Sequence, residues 1–507
     1  MSQARGLYSV AQVRAFDARA INELGVPGYT LMNRAGAAAL RVLRERWPAV
    51  RHIAVVTGGG NNGGDGYVLA RLARAAGLEV DLLALIAPER LAGDARRAAD
   101  EYLASGARAG RFDNTAVVRA ELLVDALLGT GLRAAPKPEF QAAIRALNAA
   151  GKPILALDLP SGLDGDRGIA LGDAVRADAT ITFVAPKSGL YLGAGPEFVG
   201  RLYCDDLQLP APAGAAARPL LEWLDETDIA QALPARPRAA HKGDFGRVLL
   251  IAGGPGMAGA ARLAGEACLR CGAGLVSVAT APENVTAVVA NRPELICLAA
   301  ADAGALEAPL RVATVIAIGP GLGTGPWARG LLDAALASGK PLVLDADALN
   351  LIAAARERPP ERAVITPHPG EAGRLLGSSS DAVQADRLGA LHRLVDYTGA
   401  VVVLKGAGTL VGAPGRISAI CPHGNPGMAA PGMGDVLTGA IAAILGQCGD
   451  PWLAARAGVV AHALAGDDLA RRGARGLVAL ELAGRLSRWV NGSARASGEG
   501  PDTGAER

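Results

Sequence analysis

The chain alternates short apolar runs with longer amphipathic stretches, and a polar or glycine-rich loop follows nearly every apolar run. In the first part of the chain the apolar runs are residues 53–57, 79–85, 122–128, 154–158 and 180–184. Runs of this length, bounded by turn residues, predict buried strands, and the stretches between them have helical spacing. Strands that alternate with helices predict a parallel, doubly wound α/β sheet.

The same alternation continues further along the chain. There the apolar runs are residues 247–252, 275–280, 315–318, 341–344, 363–365 and 401–404. Residues 210–219, PAPAGAAARP, separate the two series. They are small, rich in proline and without periodicity, so they predict a linker. We therefore expect two α/β domains, at residues 1–215 and 223–495.

Composition narrows the choice of partners. The 507 residues carry 51 basic and 49 acidic side chains, spread along the chain, and only 4% are aromatic. A near-neutral chain with few stacking rings gives no reason to expect nucleic acid or a membrane as the main partner. Without a signal-peptide pattern or an apolar run that could cross a bilayer, a cytoplasmic protein is expected. Cys268 and Cys271 form a lone CxxC in a helical stretch, which favours small buried residues over metal ligands.

Polar residues gather at the ends of the first series of strands. The strand at residues 53–57 leads into the loop 58–66, GGGNNGGDG, and then a helix at residues 67–76, as in dinucleotide and phosphate sites. Four polar candidates lie at or just beyond strand ends: Asn62, Asp125, Asp158 and Ser161. Their oxygens can bind a ribose or carboxamide edge, or a cation. A structural cap is the alternative interpretation of Asp125.

The most unusual stretch is residues 427–439, GMAAPGMGDVLTG. Gly432 and Gly434 free the backbone for a sharp turn before an apolar helix, and a helix N-terminus favours an anion. Asp435 would repel that anion, but it makes sense as a base that takes a proton from a hydroxyl while the backbone holds a phosphoryl group. An ordinary helix N-cap is the alternative interpretation of Asp435.

Two further loops suit the same chemistry. Residues 405–409, KGAGT, supply a cation, backbone N–H groups and a hydroxyl for phosphates, although they do not form a Walker A loop. His368 lies between two prolines after the strand at residues 363–365. A histidine fixed in a strand-end loop favours a role in a site over a structural one.

Ten motifs in a fixed order carry a resemblance over nearly the whole chain. The motifs HKGDFG, GPGLG, DADALN, TPHPGE, KGAGT and GNPGM…GMGDVLTG resemble the ribokinase-like superfamily and, more closely, the ADP-dependent NAD(P)H-hydrate dehydratases. The motifs GGGNNGGDG, VDALLGTGL, LDLPSGLDG and TFVAPKSGL are similar to those of NAD(P)H-hydrate epimerases. The whole resembles the bifunctional NAD(P)H-hydrate repair enzymes. The resemblance implies an N-terminal Rossmann-like three-layer sandwich and a C-terminal ribokinase-like α/β domain.

In the first domain the resemblance implies a site for the hydrated cofactors NADHX and NADPHX. The residues implied to bind them are Asn61, Asn62, Gly63, Gly64, Asp65, Gly129, Thr130, Gly131, Leu132, Arg133, Ala134, Ala135 and Asp158. The residues that match potassium-binding positions, for K+, are Asn62, Asp125 and Ser161. Asp158 is the expected acid/base of the epimerisation at the hydrated ring carbon.

In the second domain the resemblance implies a dehydration driven by ADP, with Mg2+ accompanying the nucleotide. The residues implied to contact the hydrated cofactor are Ala260, Gly321 or Gly323, His368 and Asp435. The residues implied to contact the nucleotide are Lys405, Gly406, Ala407, Gly408, Thr409 and Gly434. Asp435 would activate the ring hydroxyl for phosphorylation, and phosphate would then leave with a neighbouring proton. The products would be NADH or NADPH, AMP and phosphate.

Two alternatives remain open at this point. The second domain could be an ATP-dependent kinase for a small vitamin-like alcohol, because its anion-binding chemistry would be the same. The first domain could be a binding module without catalysis. We also expect a homo-oligomer, and we assign no function to the tail at residues 491–507.

Overall fold

The computed structural model describes residues 5–210 and 218–491. The chain divides into two compact units, Met1–Leu221 and Glu222–Arg507. Most of the predicted linker, residues 211–217, and nearly all of the tail, residues 492–507, lie outside the described residues. No helix in the described ranges is long and apolar enough to cross a membrane.

The first unit is built on a parallel sheet. The strands of that sheet are β2 His52–Thr57, β3 Glu79–Ala84, β4 Ala109–Arg111, β5 Leu122–Ala126, β6 Ile154–Leu157, β7 Ala179–Phe183 and β8 Arg201–Asp205, and a short strand, β1 Gly6–Leu7, precedes them in the chain. Its helices are α1 Val10–Asn22, α2 Gly28–Arg46, α3 Asn61–Ala75, α4 Gly93–Ala104, α5 Asn114–Arg119, α6 Pro138–Ala149 and α7 Gly195–Val199. The sheet has the strand order β4-β3-β2-β5-β6-β7-β8, and each neighbouring pair is parallel.

The two faces of this sheet bury separate apolar layers. Ile53 and Val55 of β2 belong to one buried cluster, whereas the alternate residues Ala54 and Val56 belong to another. Successive side chains of a strand point to opposite faces, so helices cover the sheet on both sides. The predicted three-layer α/β sandwich is therefore confirmed.

The glycine-rich segment after β2 differs from its prediction. Helix α3 begins at Asn61, with Gly60 as its N-cap, and not at residue 67. The glycines are needed because the helix lies very close to its neighbours. A Cβ atom at Gly66 would lie 2.6 Å from the Cβ of Ala126, and one at Gly63 would collide with the carbonyl oxygen of Gly58. Close packing, rather than loop flexibility, explains these glycines.

The second unit carries a mixed sheet. Its strands are β9 Leu221–Trp223, β10 Arg247–Ile251, β11 Leu275–Thr280, β12 Ile296–Ala299, β13 Val315–Ile318, β14 Leu342–Leu344, β15 Ala363–Ile365, β16 Val401–Leu404, β17 Thr409–Gly412 and β18 Ser418–Cys421. Its helices are α8 Glu226–Ala232, α9 Ala258–Arg270, α10 Val285–Val289, α11 Glu307–Val312, α12 Pro326–Ala337, α13 Ala346–Ala355, α14 Pro369–Leu376, α15 Ser380–Ala385, α16 Arg387–Thr398, α17 Met433–Cys448, α18 Pro451–Ala470 and α19 Ala479–Val490.

The strand order of this sheet is β9-β18-β17-β16-β15-β14-β13-β10-β11-β12. Strands β10 to β16 pair in parallel, whereas β17 and β18 add to β16 as antiparallel strands. The antiparallel extension was not predicted, and Thr409, expected in a loop, begins β17. Helix α17 is buried along most of its length. Cys268 and Cys271 are buried and free, which confirms their predicted role as small core residues.

Candidate active sites

A cavity of about 670 Å³ lies in the first unit, beyond the carboxyl ends of β2, β5, β6 and β7. The predicted site residues that line it are Asn61, Asn62, Asp65, Gly129, Thr130, Gly131, Leu132 and Asp158. Gly63 and Gly64 are instead buried within the packing of α3, and Arg133, Ala134 and Ala135 are not among the residues that line the cavity. Four lining residues with charged side chains were not predicted: Arg14, Asp17, Asp94 and Lys187.

Asp158 occupies a strained position at the edge of this cavity. It follows β6 directly with φ +63°, and its N–H donates to the carbonyl oxygen of Ile181 at 2.7 Å. Val184, which follows β7 and lines the same cavity, has φ +68°. Residues other than glycine adopt such a backbone only at a cost of about 1–3 kcal/mol, and these residues are concentrated in functional sites.

The side chain of Asp158 is paired with a buried lysine. The Nζ atom of Lys187 lies 2.5 Å from Oδ1 of Asp158, and Lys187 is 1% exposed. The same Nζ donates to the hydroxyl of Thr182 at 2.9 Å and to the carbonyl oxygen of Phe183 at 2.8 Å. Lys187 lies in the loop that follows β7, and Asp158 directly follows β6. The position of Lys187 after a strand was therefore a signal that could have identified it.

Two further carboxyl groups of the cavity have a pKa above the usual range of an aspartate. Burial raises the pKa of Asp17 to about 6; Lys187 lowers it and Asp158 raises it further. Burial also raises the pKa of Asp65 well above its usual range, and the negative charges of Asp158 and Asp17 add to this effect. The cavity therefore combines an ion-paired carboxylate with carboxyl groups that bind a proton more readily than they would in water.

The three residues predicted to bind potassium differ in their surroundings. Asp125 is fully buried; it accepts hydrogen bonds from the N–H of Leu127 at 3.2 Å and of Ser161 at 2.8 Å, and from the Ser161 hydroxyl at 2.6 Å. Burial raises the pKa of Asp125 to about 6, and the bonds from Ser161 oppose this. The structural interpretation of Asp125 thus has direct support.

Asn62 is buried as well, but both polar atoms of its side chain lack a hydrogen-bond partner within residues 5–210. An unpaired amide in the interior is costly, so an additional partner is expected there. An amide oxygen, a carboxylate and a hydroxyl are oxygen donors of the kind that bind a hard cation, and the three residues therefore fit one chemically. No group of three or more His, Cys, Asp or Glu side chains that could hold a metal occurs in the described residues.

In the second unit, the start of α17 holds the candidate base. The N-cap is Gly432 with φ +83°, and Asp435 lies in the first helical turn, so the N-cap interpretation of Asp435 is wrong. Among residues 218–491, no hydrogen bond or ion pair of the Asp435 carboxylate occurs. Burial raises its pKa to about 7; Asp345 and Asp347 add to this, and Lys405 opposes it.

Lys405, whose positive charge acts on Asp435, is itself paired with two buried carboxylates. Its Nζ lies 2.6 Å from Oδ1 of Asp345 and 3.7 Å from Oε2 of Glu371. The other oxygen of Asp345 accepts a hydrogen bond from the hydroxyl of Thr438 in α17 at 2.7 Å. Burial lowers the pKa of Lys405, but the carboxylates around it outweigh that effect and raise it above its usual value. A Cβ atom at Gly434 would lie 3.5 Å from this Nζ, so Gly434 borders the pair directly.

His368 is the N-cap of α14 and not part of an open loop. Its Nδ1 accepts a hydrogen bond from the N–H of Gly370 at 3.0 Å, and its Nε2 lies 3.2 Å from Oε1 of Glu371. In a neutral imidazole this assigns the ring proton to Nε2. Glu371 therefore connects His368 to Lys405, a link that was not predicted from the sequence.

The loop at residues 405–409 is held from behind by a buried arginine. Arg387 is 5% exposed and donates to the carbonyl oxygens of Leu404, Lys405 and Gly408 at 3.2–3.3 Å. No carboxylate forms an ion pair with it in the described part of the chain. Burial lowers its pKa to about 10. The loop thus rests on an uncompensated buried cation.

The remaining candidates lie next to one another. A Cβ atom at Gly321, whose φ is +56°, would lie 2.9 Å from the Cβ of Ala260, so these two residues are neighbours. The N–H of Gly323 donates to Asp347 at 2.7 Å, and Asp347 also contributes to the high pKa of Asp435. No side-chain contact of Ala407 helps to place it in this set.

Comparisons with known proteins bear on both units. A family model described as YjeF-related protein N-terminus matches residues 28–189, and one described as NAD(P)H-hydrate dehydratase matches residues 248–488. A protein of Coxiella burnetii named bifunctional NAD(P)H-hydrate repair enzyme Nnr is 46% identical over 491 residues, which cover 96% of this chain and 99% of that protein.

Solved structures also resemble the chain. A ribokinase-like superfamily protein from Enterococcus faecalis is 31% identical, with a TM-score of 0.51, over 54% of this chain and 96% of that chain. An ADP/ATP-dependent NAD(P)H-hydrate dehydratase from Bacillus subtilis, co-crystallised with ATP and Mg2+, is 31% identical over 54% of this chain and 98% of its own, with a TM-score of 0.49.

Proposed function

We propose a mechanism for each domain of this chain from one premise: the chain belongs to the bifunctional NAD(P)H-hydrate repair enzymes. It is therefore an enzyme with an NAD(P)H-hydrate epimerase and an NAD(P)H-hydrate dehydratase activity. We assign the epimerase to residues 1–215 and the dehydratase to residues 223–495. The substrates are the hydrated cofactors NADHX and NADPHX.

For the epimerase, we infer that Asp158 and Asp65 exchange protons with the hydrated nicotinamide ring. Asp158 takes the hydroxyl proton as the bond between the hydrated carbon and the ring nitrogen breaks, and Asp65 gives a proton to that nitrogen. Closure on the other face reverses both transfers, so no proton is gained or lost. A pair of carboxyl groups in unlike environments suits this task, and only Asp158 is paired with a lysine.

We infer that K+ binds at Asn62, Asp125 and Ser161 in the same unit. The buried, unpaired amide of Asn62 supports this assignment. A cation there would supply positive charge near the cofactor. Replacement of potassium by tetramethylammonium, which is too large for such a site, should slow epimerisation and leave dehydration unchanged.

For the dehydratase, we infer that Asp435 is the base and that the loop at residues 405–409 and Gly434 hold the nucleotide. The ring hydroxyl loses its proton to Asp435 as it attacks the terminal phosphoryl group of ADP, and AMP leaves. The new phosphate ester is then eliminated with a neighbouring proton, which yields NADH or NADPH. Mg2+ would accompany the nucleotide. Phosphorylation turns a poor leaving group into a good one, so a kinase-like site can drive a dehydration.

One observation carries the dehydratase assignment: Asp435 lies unpaired among the described residues in the first turn of α17, where burial raises its pKa to about 7. A base with a pKa close to the working pH is the most effective. We also propose a homo-oligomer, for which the test is the mass of the protein in solution.

The test follows the absorbance of regenerated NADH from a racemic NADHX preparation with Mg2+ and either ADP or ATP. The intact chain should convert both epimers with ADP. Asp435→Asn should abolish conversion while ADP still binds, and Asp158→Asn should stop it near one half, because only one epimer is dehydrated.

Matched controls are Asp450→Asn and Asp113→Asn. Both aspartates are helix N-caps outside the sites, and asparagine caps a helix equally well. Unchanged turnover in Asp435→Asn would contradict the base assignment. Conversion with ATP alone would change the donor, and no NADH with either nucleotide would favour the small-molecule kinase.

A further inference from the structure

Lys187 makes more contacts than the proposed epimerase mechanism requires of it. Its Nζ has three hydrogen-bond partners: Oδ1 of Asp158 at 2.5 Å, the hydroxyl of Thr182 at 2.9 Å and the carbonyl oxygen of Phe183 at 2.8 Å. A carboxylate and a carbonyl can only accept, and with the Thr182 hydroxyl they use all three N–H groups of an ammonium ion. The geometry therefore fits the charged form of a lysine that is 1% exposed.

The cavity holds more negative than positive groups. Asp17, Asp65, Asp94 and Asp158 line it, whereas its cations are Arg14 and Lys187. Cys204 of β8 also interacts electrostatically with Lys187, but the pKa of its thiol is raised to about 11, so it stays neutral. Negative charges in one cavity disfavour one another, and the charges of Asp158 and Asp17 both raise the pKa of Asp65. Only Asp158 has a direct ion pair with the lysine.

We propose that Lys187 is a positioning residue of the epimerase, whose ammonium group holds Asp158 ionised and oriented and thereby leaves the proton of the site on Asp65. The inference rests on the proposed role of Asp158. Lys187 acts through Asp158 and itself transfers nothing. Its bond to Oδ1 fixes the side chain of Asp158, a cavity residue whose backbone lies at the strained angle φ +63°.

The test compares Lys187→Met with Lys187→Arg and with Lys152→Met. Methionine keeps the length of the side chain and removes the charge. Lys152 precedes β6, at the edge of the sheet away from the cavity, and serves as the matched control. Interconversion of purified epimers is followed by chromatography without ADP, so that the dehydratase is idle, over a range of pH.

Without the ammonium group, the carboxylates of the cavity take up protons at higher pH. The acid limb of the Lys187→Met profile should therefore move up by about one to three pH units, the effect expected of an opposite charge at this distance. The epimerisation rate at neutral pH should fall at least tenfold, with KM little changed. Lys187→Arg should keep the limb within about half a pH unit of the parent, at a reduced rate.

A Lys187→Met profile with the parental limb would overturn the inference, because loss of structure alone lowers the rate without moving the limb. If Lys187→Met does not fold, Lys187→Arg decides, and a limb displaced by a full pH unit would contradict the proposal. Asp158→Asn separates the two hypotheses. If it retains epimerase activity, the proposed function of Asp158 fails; if it is inactive while the Lys187→Met limb is parental, only the role of Lys187 fails.

Discussion

Asp435 should destabilise the folded protein whenever it is ionised. Burial raises its pKa from 3.8 to about 7 in the folded state. In the unfolded chain the same group is hydrated and titrates near its ordinary value. Asp435→Asn keeps the shape of the side chain and removes the charge, so it should abolish activity and, at alkaline pH, increase the free energy of unfolding.

The size of the effect follows from the two pKa values. About three pH units separate them, and each is worth 1.36 kcal/mol, which gives at most about 4 kcal/mol. Between about pH 4 and 7 the folded state binds a proton that the unfolded state does not. Stability contributed by this group therefore falls as pH rises through that window and is constant above it. The gain in Asp435→Asn should be about 1.5 kcal/mol at pH 5 and close to the maximum at pH 8.

Tryptophan fluorescence during heating reports this change. Four of the 5 tryptophans lie in the second unit: Trp223, Trp327, Trp452 and Trp489. At about 2 °C per kcal/mol for a unit of this size, Asp435→Asn should melt up to about 8 °C higher than the parent at pH 8, and less than half as much higher at pH 5. Asp450→Asn should show no gain that depends on pH. An Asp435→Asn protein that melts at or below the parental temperature at pH 8 would refute the reasoning.

Three further predictions concern the second unit. The rate of dehydration should fall about tenfold per pH unit below pH 7, because Asp435 becomes protonated; a stopped-flow profile that is flat from pH 5 to 7 would contradict this. Gly432→Ala should lower the free energy of unfolding in urea by about 1–3 kcal/mol, since alanine must adopt φ +83°. Arg387→Met should raise KM for ADP about tenfold and leave KM for NADHX unchanged. The arginine holds the loop at residues 405–409 through charge-assisted hydrogen bonds to its carbonyl oxygens, and about tenfold is the effect of losing one such bond.

The central parallel strands could be predicted from the sequence because most of their residues are buried on both faces of the sheet. Strand β13 was predicted to the residue, and all four of its side chains are buried. Strand β8, Arg201–Asp205, was not predicted, because it lies at the edge of its sheet and mixes charged with apolar residues. The antiparallel strands β17 and β18 follow glycine-rich loops and contain only four residues each. Short strands that lack a distinctive apolar run are not separable from loops by pattern alone.

The site residues at strand ends could also be predicted, but their pairing could not. Position after a strand identified Asp158, and the glycine-rich turn identified Asp435. The partners of these groups come from distant segments: Lys405 pairs with Asp345, 60 residues earlier in the chain. Such pairs depend on how strands are ordered in the sheet, which local patterns do not contain. Arg387 was missed for the same reason, whereas the position of Lys187 after β7 was a local signal that was not used.

The two units use a lysine that follows a strand in opposite ways. Lys187 bonds directly to Asp158, whereas Lys405 bonds to Asp345 and leaves Asp435 without a partner of its own. The proposed reactions account for this difference. In epimerisation the proton returns to the substrate within the same turnover, so an ionised carboxylate that exchanges it freely is sufficient. In phosphoryl transfer the base must keep the proton after the phosphoryl group has moved, and a pKa of about 7 allows this. Moving the lysine contact from Asp345 to Asp435 would therefore weaken the base.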